Sequence, residues 1–206
     1  EYAFDFGDLD DREVKLAVKG MDISIGLQTL GNEKFVRVMK DGEQGNYANN
    51  LDIEIPDIET GRLMETYLAY AIKACKQPVA PQDFAWLSKQ VVAYNTLVPE
   101  VTQEFTQQDG GASCKYTFRV NTTTSKSIQE EIYEFNLKDM DASKIELKVV
   151  GKNVFVELPT KGKQKLINFY KGGKPSFVEK VPFGVSSIAE GKQFRETLKG
   201  MVEGCK

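Results

Sequence analysis

The stretch Tyr2-Ala-Phe-Asp-Phe-Gly-Asp-Leu-Asp10 decides the fold, because it returns as Tyr133-Glu-Phe-Asn-Leu-Lys-Asp-Met-Asp141. Residues 2–44 match the residues that lie 131 positions later, with 13 identities in 43 positions. For residues 58–76 the offset becomes 130, with 5 identities in 19 positions. Chance would give roughly a quarter of these identities, judged from average composition. The chain therefore contains an internal repeat, and every later element is interpreted within that repeat.

The period of the repeat is longer than the first copy. We expect a first repeat unit at residues 1–76 and a second, complete unit at residues 77–206. About 56 residues of the second unit precede Tyr133, whereas one residue precedes Tyr2. The first unit is therefore expected to lack its first strands. Because an open sheet edge recruits other strands, we expect that edge to pair with upstream sequence or with another chain.

The complete unit is predicted to run from a helix through strands to a second helix. Pro81 and the apolar spacing that follows it predict a short linker helix at about residues 81–95. Alternating β-branched residues then predict seven strands, at 101–108, 116–120, 128–137, 144–150, 153–159, 165–170 and 177–183. An amphipathic helix from Ser187 to Cys205 closes the unit. Its counterpart in the first unit follows Asp57, a residue suited to capping a helix.

Seven antiparallel strands followed by an amphipathic C-terminal helix resemble the pleckstrin-homology-like superfold, in which the helix closes the open end of a strongly bent sheet. The predicted fold class is α+β, mostly antiparallel β, with two tandem copies of such a sheet of up to seven strands. A saddle-shaped sheet of the TATA-binding type is the alternative. The repeat also resembles uncharacterised exported bacterial proteins built from tandem β-rich units, which implies a periplasmic, cell-surface or secreted protein.

The three cysteines follow the repeat. Cys75 and Cys205 occupy the same place at the end of the C-terminal helix, and Cys114 is expected in the second strand of the complete unit. We predict a disulfide between Cys114 and Cys205, which would place the protein in an oxidising compartment. The alternative is three small buried apolar side chains in a reducing compartment.

Composition narrows the function. The chain contains no histidine, which removes the commonest general base and the commonest zinc ligand. A net charge of -3 and a pI near 5.3 argue against a nucleic-acid partner. No run approaches the ~20 apolar residues of a transmembrane segment. No phosphate loop, nucleophile elbow or paired-cysteine metal motif is present, so no catalytic residue, metal or cofactor is predicted.

Two further groups of residues are candidate binding sites. Asp8 and Asp10, with Asp139 and Asp141 in the second copy, are expected to cap turns rather than to bind calcium. A candidate ligand surface combines two aromatic residues and three lysines: Tyr170, Phe177, Lys161, Lys163 and Lys165. The alternatives are that the aromatic rings belong to the core and that the lysines form a solvated hairpin tip.

These observations favour a non-catalytic binding or scaffolding module of tandem β-rich units, with a protein or polymer as its ligand. The alternative is a carboxylate-based hydrolase such as a glycosidase, since a pair of Asp or Glu side chains needs no histidine.

Overall fold

A computed structural model of the protein describes residues 1–76, 80–95, 98, 100–109 and 114–205. These residues form an α+β structure of antiparallel strands in four sheets with three α-helices. The chain divides into two compact units, Glu1–Pro78 (unit 1) and Val79–Lys206 (unit 2). Within the described ranges, no helix has the length and apolar character needed to cross a membrane.

Unit 1 consists of six described strands and one helix. In chain order they are β1 (Tyr2–Ala3), β2 (Lys15–Lys19), β3 (Asp22–Gln28), β4 (Val36–Lys40), β5 (Glu43–Ala48), β6 (Asn50–Glu54) and α1 (Ile58–Ala74). The strands pair in the orders β1-β4-β5 and β2-β3-β6. Asp57 caps α1 as predicted, since its Oδ1 accepts a hydrogen bond from the Thr60 amide at 2.7 Å. The helix packs against β2 and β3 over a buried aliphatic core.

Unit 2 begins with a helix and contains eight described strands. Its elements are α2 (Phe84–Tyr94), β7 (Val101–Gln107), β8 (Lys115–Thr123), β9 (Ile128–Asn136), β10 (Glu146–Val150), β11 (Asn153–Pro159), β12 (Ile167–Lys171), β13 (Lys174–Val178), β14 (Lys180–Val185) and α3 (Ile188–Gly204). Five strands pair in the order β13-β12-β9-β8-β7 and three in the order β10-β11-β14. The second helix, α3, packs against α2 and the three-stranded sheet.

The elements of the two units fall at matching positions. Strands β2, β3 and β4 begin and end 131 residues before β10, β11 and β12, and α1 begins and ends 130 residues before α3. Pairing matches too, because β5-β4-β1 corresponds to β13-β12-β9 and β2-β3-β6 to β10-β11-β14. Unit 2 adds β8 and β7 on the far side of β9, and α2 before them. Strand β1 is therefore a sheet edge where β9 is internal.

In each unit a buried threonine forms a hydrogen bond to the bend at which the chain passes from one sheet to the other. The Thr29 hydroxyl lies 3.0 Å from the Asn49 carbonyl oxygen, and the Thr160 hydroxyl lies 3.1 Å from that of Glu179. Asn49 and Glu179 are single bend residues, each between two strands that belong to different sheets. A bend of this kind is how a chain turns the corner from one sheet to another.

The prediction of seven strands is wrong for unit 2, because the expected strand 177–183 is two strands, β13 and β14. The run carries continuous strand-forming residues, and propensity alone does not mark a change of sheet. The change occurs at Glu179, whose carbonyl oxygen accepts the Thr160 amide hydrogen bond at 2.8 Å.

Several strand ends lie one to three residues from their expected positions, and the start of the linker helix and the place of Cys114 also differ from expectation. The linker helix begins at Phe84 rather than near Pro81, because the Asp83 side chain caps it by accepting the Trp86 amide hydrogen bond at 2.8 Å. Cys114 is not in a strand: it directly precedes β8 and has a left-handed φ of 54°.

Candidate functional site

Helix α1 carries an apolar stripe that faces away from its buried side. Leu63, Tyr67 and Tyr70 are 56%, 64% and 74% exposed. Their spacing of four and three residues places them on one face of the helix. A shallow depression lies around Leu63 and Tyr67. Singly exposed apolar residues are common on proteins, whereas these three lie together on one helix face.

Strand β1 leaves a second surface of unit 1 open. The Met39 amide donates to the Glu1 carbonyl oxygen at 2.8 Å, and Tyr2 is paired with Val38. Because bonding directions alternate along an antiparallel strand, the Tyr2 amide and carbonyl point away from β4. No strand within the described residues pairs with that edge. In unit 2 the matching residue, Tyr133, is paired with Phe118 of β8.

In unit 2, the face of α3 that corresponds to the exposed stripe of α1 is covered by residues of the same unit. The segment 80–82 runs along α3: the Thr197 hydroxyl accepts the Gln82 amide hydrogen bond at 2.9 Å, and the Gln193 amide donates to the Ala80 carbonyl oxygen. In α1 the positions of Gln193 and Thr197 are occupied by Leu63 and Tyr67. A polar contact surface in unit 2 is thus an apolar, solvent-exposed surface in unit 1.

The core of unit 1 is also open where that of unit 2 is closed. In unit 2 the Phe118 ring of β8 lies 4.5 Å from the Phe183 ring and 5.8 Å from the Tyr133 ring, between ring centroids. Phe183 is fully buried, whereas its counterpart Ile53 is only partly buried. Tyr133 is 6% exposed and its counterpart Tyr2 is 48% exposed. Side chains that β8 covers in unit 2 therefore remain partly in solvent in unit 1.

The predicted disulfide is confirmed. The sulfur atoms of Cys114 and Cys205 are 2.11 Å apart, with their Cα atoms 6.0 Å apart. Cys75 occupies the place of Cys205 at the end of α1, and its thiol is free and exposed. We refer to Tyr2, Leu63, Tyr67, Tyr70 and Cys75 together as the open face of unit 1.

Sequence reasoning missed the open face as a site, although a signal was present. The sequence predicts a helix after Asp57 but does not show which of its side chains are exposed. Comparing the helices position by position shows Tyr67 against Thr197 and Tyr70 against Gly200. Tyrosine rings at these positions make this face of α1 apolar, whereas the matching face of α3 carries the buried Thr197 and the exposed Gly200.

The structure brings Tyr170 and Phe177 to one face of the five-stranded sheet. Asn168 is paired with Phe177 and Tyr170 with Pro175, so the two aromatic residues are diagonal neighbours on β12 and β13. Phe177 is 62% exposed, and the Tyr170 hydroxyl lies 3.4 Å from the Glu134 carboxylate. The alternative that both rings are core is therefore wrong for Phe177.

The three lysines lie on and just after the 3-10 turn Lys161–Lys163, and all are exposed. Lys161 donates from its Nζ to the Lys138 carbonyl oxygen at 2.6 Å, which ties two turns together. Lys165 precedes the first residue of β12 by two positions, at the end of the β12–β13 hairpin where Phe177 lies. A ligand role for this surface stays a prediction.

Of the four repeated aspartates, Asp10 and Asp141 cap turns as expected, whereas Asp8 and Asp139 lie inside 3-10 turns that Asp5 and Asn136 cap. The Asp10 side chain accepts hydrogen bonds from the Arg12 amide and guanidinium at 2.8 to 3.1 Å, which lower the Asp10 pKa to about 2. Asp141 accepts from the Ser143 hydroxyl and amide, and these bonds lower its pKa. A catalytic acid needs a raised pKa instead. Within the described ranges, no three metal-binding side chains form a cluster.

No protein-family model and no curated protein matches the sequence, and no solved structure matches the fold. Since no related protein indicates a function, the functional interpretation rests on the open face of unit 1.

Proposed function

We propose that the protein is a non-catalytic binding or scaffolding module made of two copies of one β-rich fold, and that unit 1 binds a polypeptide on its open face. One observation carries this proposal. The strand edge of β1 and the apolar stripe of α1 lie at the positions that unit 2 covers with strand β8 and with residues 80–82, respectively. Addition of a strand to an exposed edge is an established mode of peptide recognition.

The free energy of binding favours use of both the β1 edge and the α1 stripe. Burying one large apolar side chain contributes about 1.5 to 3 kcal/mol, so the stripe of three contributes several kcal/mol. Association itself costs on the order of 4 to 15 kcal/mol in lost freedom of motion. At about 4.5 to 9 kcal/mol in total, the stripe alone offsets only the lower part of that range. Main-chain hydrogen bonds to β1 and closure of the core around Tyr2 and Ile53 supply the remainder.

The disulfide in unit 2 supports a location for this function. Disulfides persist in oxidising compartments and are rare in the cytosol. Together with the resemblance of the repeat to exported bacterial proteins, the Cys114–Cys205 bond favours the periplasm, the cell surface or the extracellular space.

The test uses the full chain and a synthetic peptide of residues 80–127 that carries Tyr94→Lys and Cys114→Ser. This segment occupies the matching place in unit 2. Tyr94 is replaced because its ring packs on Gly184, where an added Cβ would lie 2.8 Å away, and unit 1 has Glu54 at that position. Binding of the fluorescently labelled peptide is measured by anisotropy.

We expect saturable binding that Tyr67→Lys weakens by about tenfold or more, since loss of one buried ring removes at least about 1.4 kcal/mol. Phe177→Lys is the matched control, because that ring is equally exposed but lies in unit 2. Tyr2→Pro should weaken binding by removing an outward amide, whereas Tyr2→Val, which retains the amide, should weaken it less. Absence of binding, or a loss caused by Phe177→Lys alone, would overturn the proposal.

A further inference from the structure

Resting on the proposed function, we infer that the partner of unit 1 is a polypeptide segment outside residues 1–206 whose chain order is that of residues 80–123, and that its cysteine forms a disulfide with Cys75. The segment begins with an extended stretch along α1, here called the lead, which is equivalent to residues 80–82 of unit 2. A short helix and two antiparallel strands follow. Its cysteine directly precedes the strand that pairs with β1.

The place of this cysteine is defined by elements that both units possess. In unit 2 the Cys114 carbonyl oxygen accepts the Leu137 amide hydrogen bond at 2.9 Å, in the turn that follows β9. Its sulfur bonds to Cys205 at the end of α3. Unit 1 has the matching turn after β1, and a Cβ added at Gly7 in that turn would lie 3.0 Å from the Cys75 carbonyl oxygen. The helix end and the turn are therefore adjacent in unit 1 as well.

Three independent features of unit 1 indicate the same missing segment. Among the described residues, no strand pairs with β1 as β8 pairs with β9 in unit 2, and no segment covers the stripe around Tyr67 as residues 80–82 cover α3. Cys75 is a free thiol, whereas Cys205 is bonded. A general apolar patch would explain the stripe alone. A helix and hairpin with a cysteine explains all three.

Differences between the units specify the chemistry of the partner. Tyr70 stands where Gly200 faces Pro81 in unit 2, so the lead must leave room for a ring and present apolar groups to it. Glu54 stands where Gly184 accommodates Tyr94. The partner helix should therefore carry a basic side chain, rather than an aromatic ring, at the position of Tyr94.

Formation of the bond is a two-electron oxidation. The thiols of Cys75 and of the partner lose two protons and two electrons as their sulfur atoms join. A disulfide oxidant, such as oxidised glutathione, accepts them and is converted to two thiols.

The first experiment maps the disulfides of the protein isolated from its source, after alkylation of free thiols and digestion without reduction. The expected result is a peptide linked to Cys75 whose cysteine precedes an alternating strand sequence and follows a helical one. An alkylated Cys75 thiol, or a Cys75–Cys75 link between two copies, would overturn the inference.

The second experiment separates this inference from the proposed function. The full chain is incubated in glutathione buffer with the 80–127 peptide carrying Tyr94→Lys, in which Cys114 is retained. A control peptide carries Cys114→Ser and Thr123→Cys, which moves the thiol to the other end of the strand. We expect the first peptide to crosslink to Cys75 at least about tenfold more than the control. Equal crosslinking with intact non-covalent binding would overturn the inference and leave the proposed function standing; loss of non-covalent binding would overturn both.

Discussion

Removal of the Cys114–Cys205 disulfide should destabilise unit 2 strongly and leave unit 1 unchanged. The bond joins residues 91 positions apart, so it restricts the unfolded chain over most of the unit. The relevant perturbation is the double substitution Cys114→Ala and Cys205→Ala. Replacing both residues avoids leaving a reactive thiol in the variant.

The magnitude follows from the entropy of closing that loop. In the chain-entropy model, a loop of this length stabilises the folded state by about 4.6 kcal/mol at 25 °C. Measured losses on removing native disulfides are about 2 to 5 kcal/mol. With a urea slope of about 1 to 3 kcal/mol per molar, the unfolding midpoint should fall by about 0.7 to 5 M.

A single tryptophan makes the measurement specific to unit 2. Trp86 is the only tryptophan of the chain, lies in α2 and is half-buried, and its ring centroid lies 6.5 Å from that of Phe194. Its fluorescence during urea unfolding therefore reports on the unit that contains the bond. Cys75→Ala is the matched control and should leave this transition unchanged.

A loss below about 1 kcal/mol in the double variant would refute the reasoning, because it falls well short of the loop-entropy value. An equal loss in Cys75→Ala would do so as well. The first result would mean that the bond does not constrain the unfolded state of unit 2, and the second would mean that the loss is not specific to the bond.

Three further predictions concern packing and ionisation. Gly191→Ala should lower the unfolding free energy by about 1 to 3 kcal/mol in urea titrations, because the added Cβ would lie 2.4 Å from a leucine methyl. Gly204→Ala is the control and should not lower it, because the space around Gly204 is open. Phe183→Ala should lower the unfolding free energy by about 3 to 5 kcal/mol in far-ultraviolet circular dichroism melts. Ile53→Ala should lower it by less than half of that, because Ile53 is only partly buried. Equal losses would contradict an open core in unit 1. Burial, reinforced by a neighbouring carboxylate, raises the Tyr133 pKa, so the unfolded chain loses this proton near pH 10 while the folded chain keeps it. Stability should therefore decline as pH rises above about 10, and Tyr133→Phe should reduce that slope by up to about 1.4 kcal/mol per pH unit in denaturant titrations at successive pH values.

Much of the secondary structure could be predicted from the sequence. The strand expected at 153–159 is β11 with the same bounds, and the C-terminal helix expected to follow Ser187 is α3. These elements carry strong local signals: alternation, glycine turns and capping side chains. The bend at Glu179 could not be predicted, because it depends on a hydrogen bond to Thr160, which lies 19 residues earlier.

Of the candidate sites, the cysteine pairing could be predicted and the open face could not. The repeat alone related Cys75 to Cys205 and left Cys114 as the partner. The exposure of Tyr67 could not be deduced in the same way. A tyrosine on an amphipathic helix is compatible with burial or with solvent, and the helical pattern of α1 does not distinguish the two.

What the sequence by itself determined is the period, and with it the matching order of elements and the cysteine that bonds in unit 2. Those features are encoded locally or by direct comparison of one copy with the other. What only the tertiary structure decided is which surfaces are covered. Burial is a relation between elements far apart in the chain: β8 packs its Phe118 ring on Phe183, 65 positions later, and in unit 1 no described strand does the same for Ile53. The open face exists because that contact is made in one unit and not in the other.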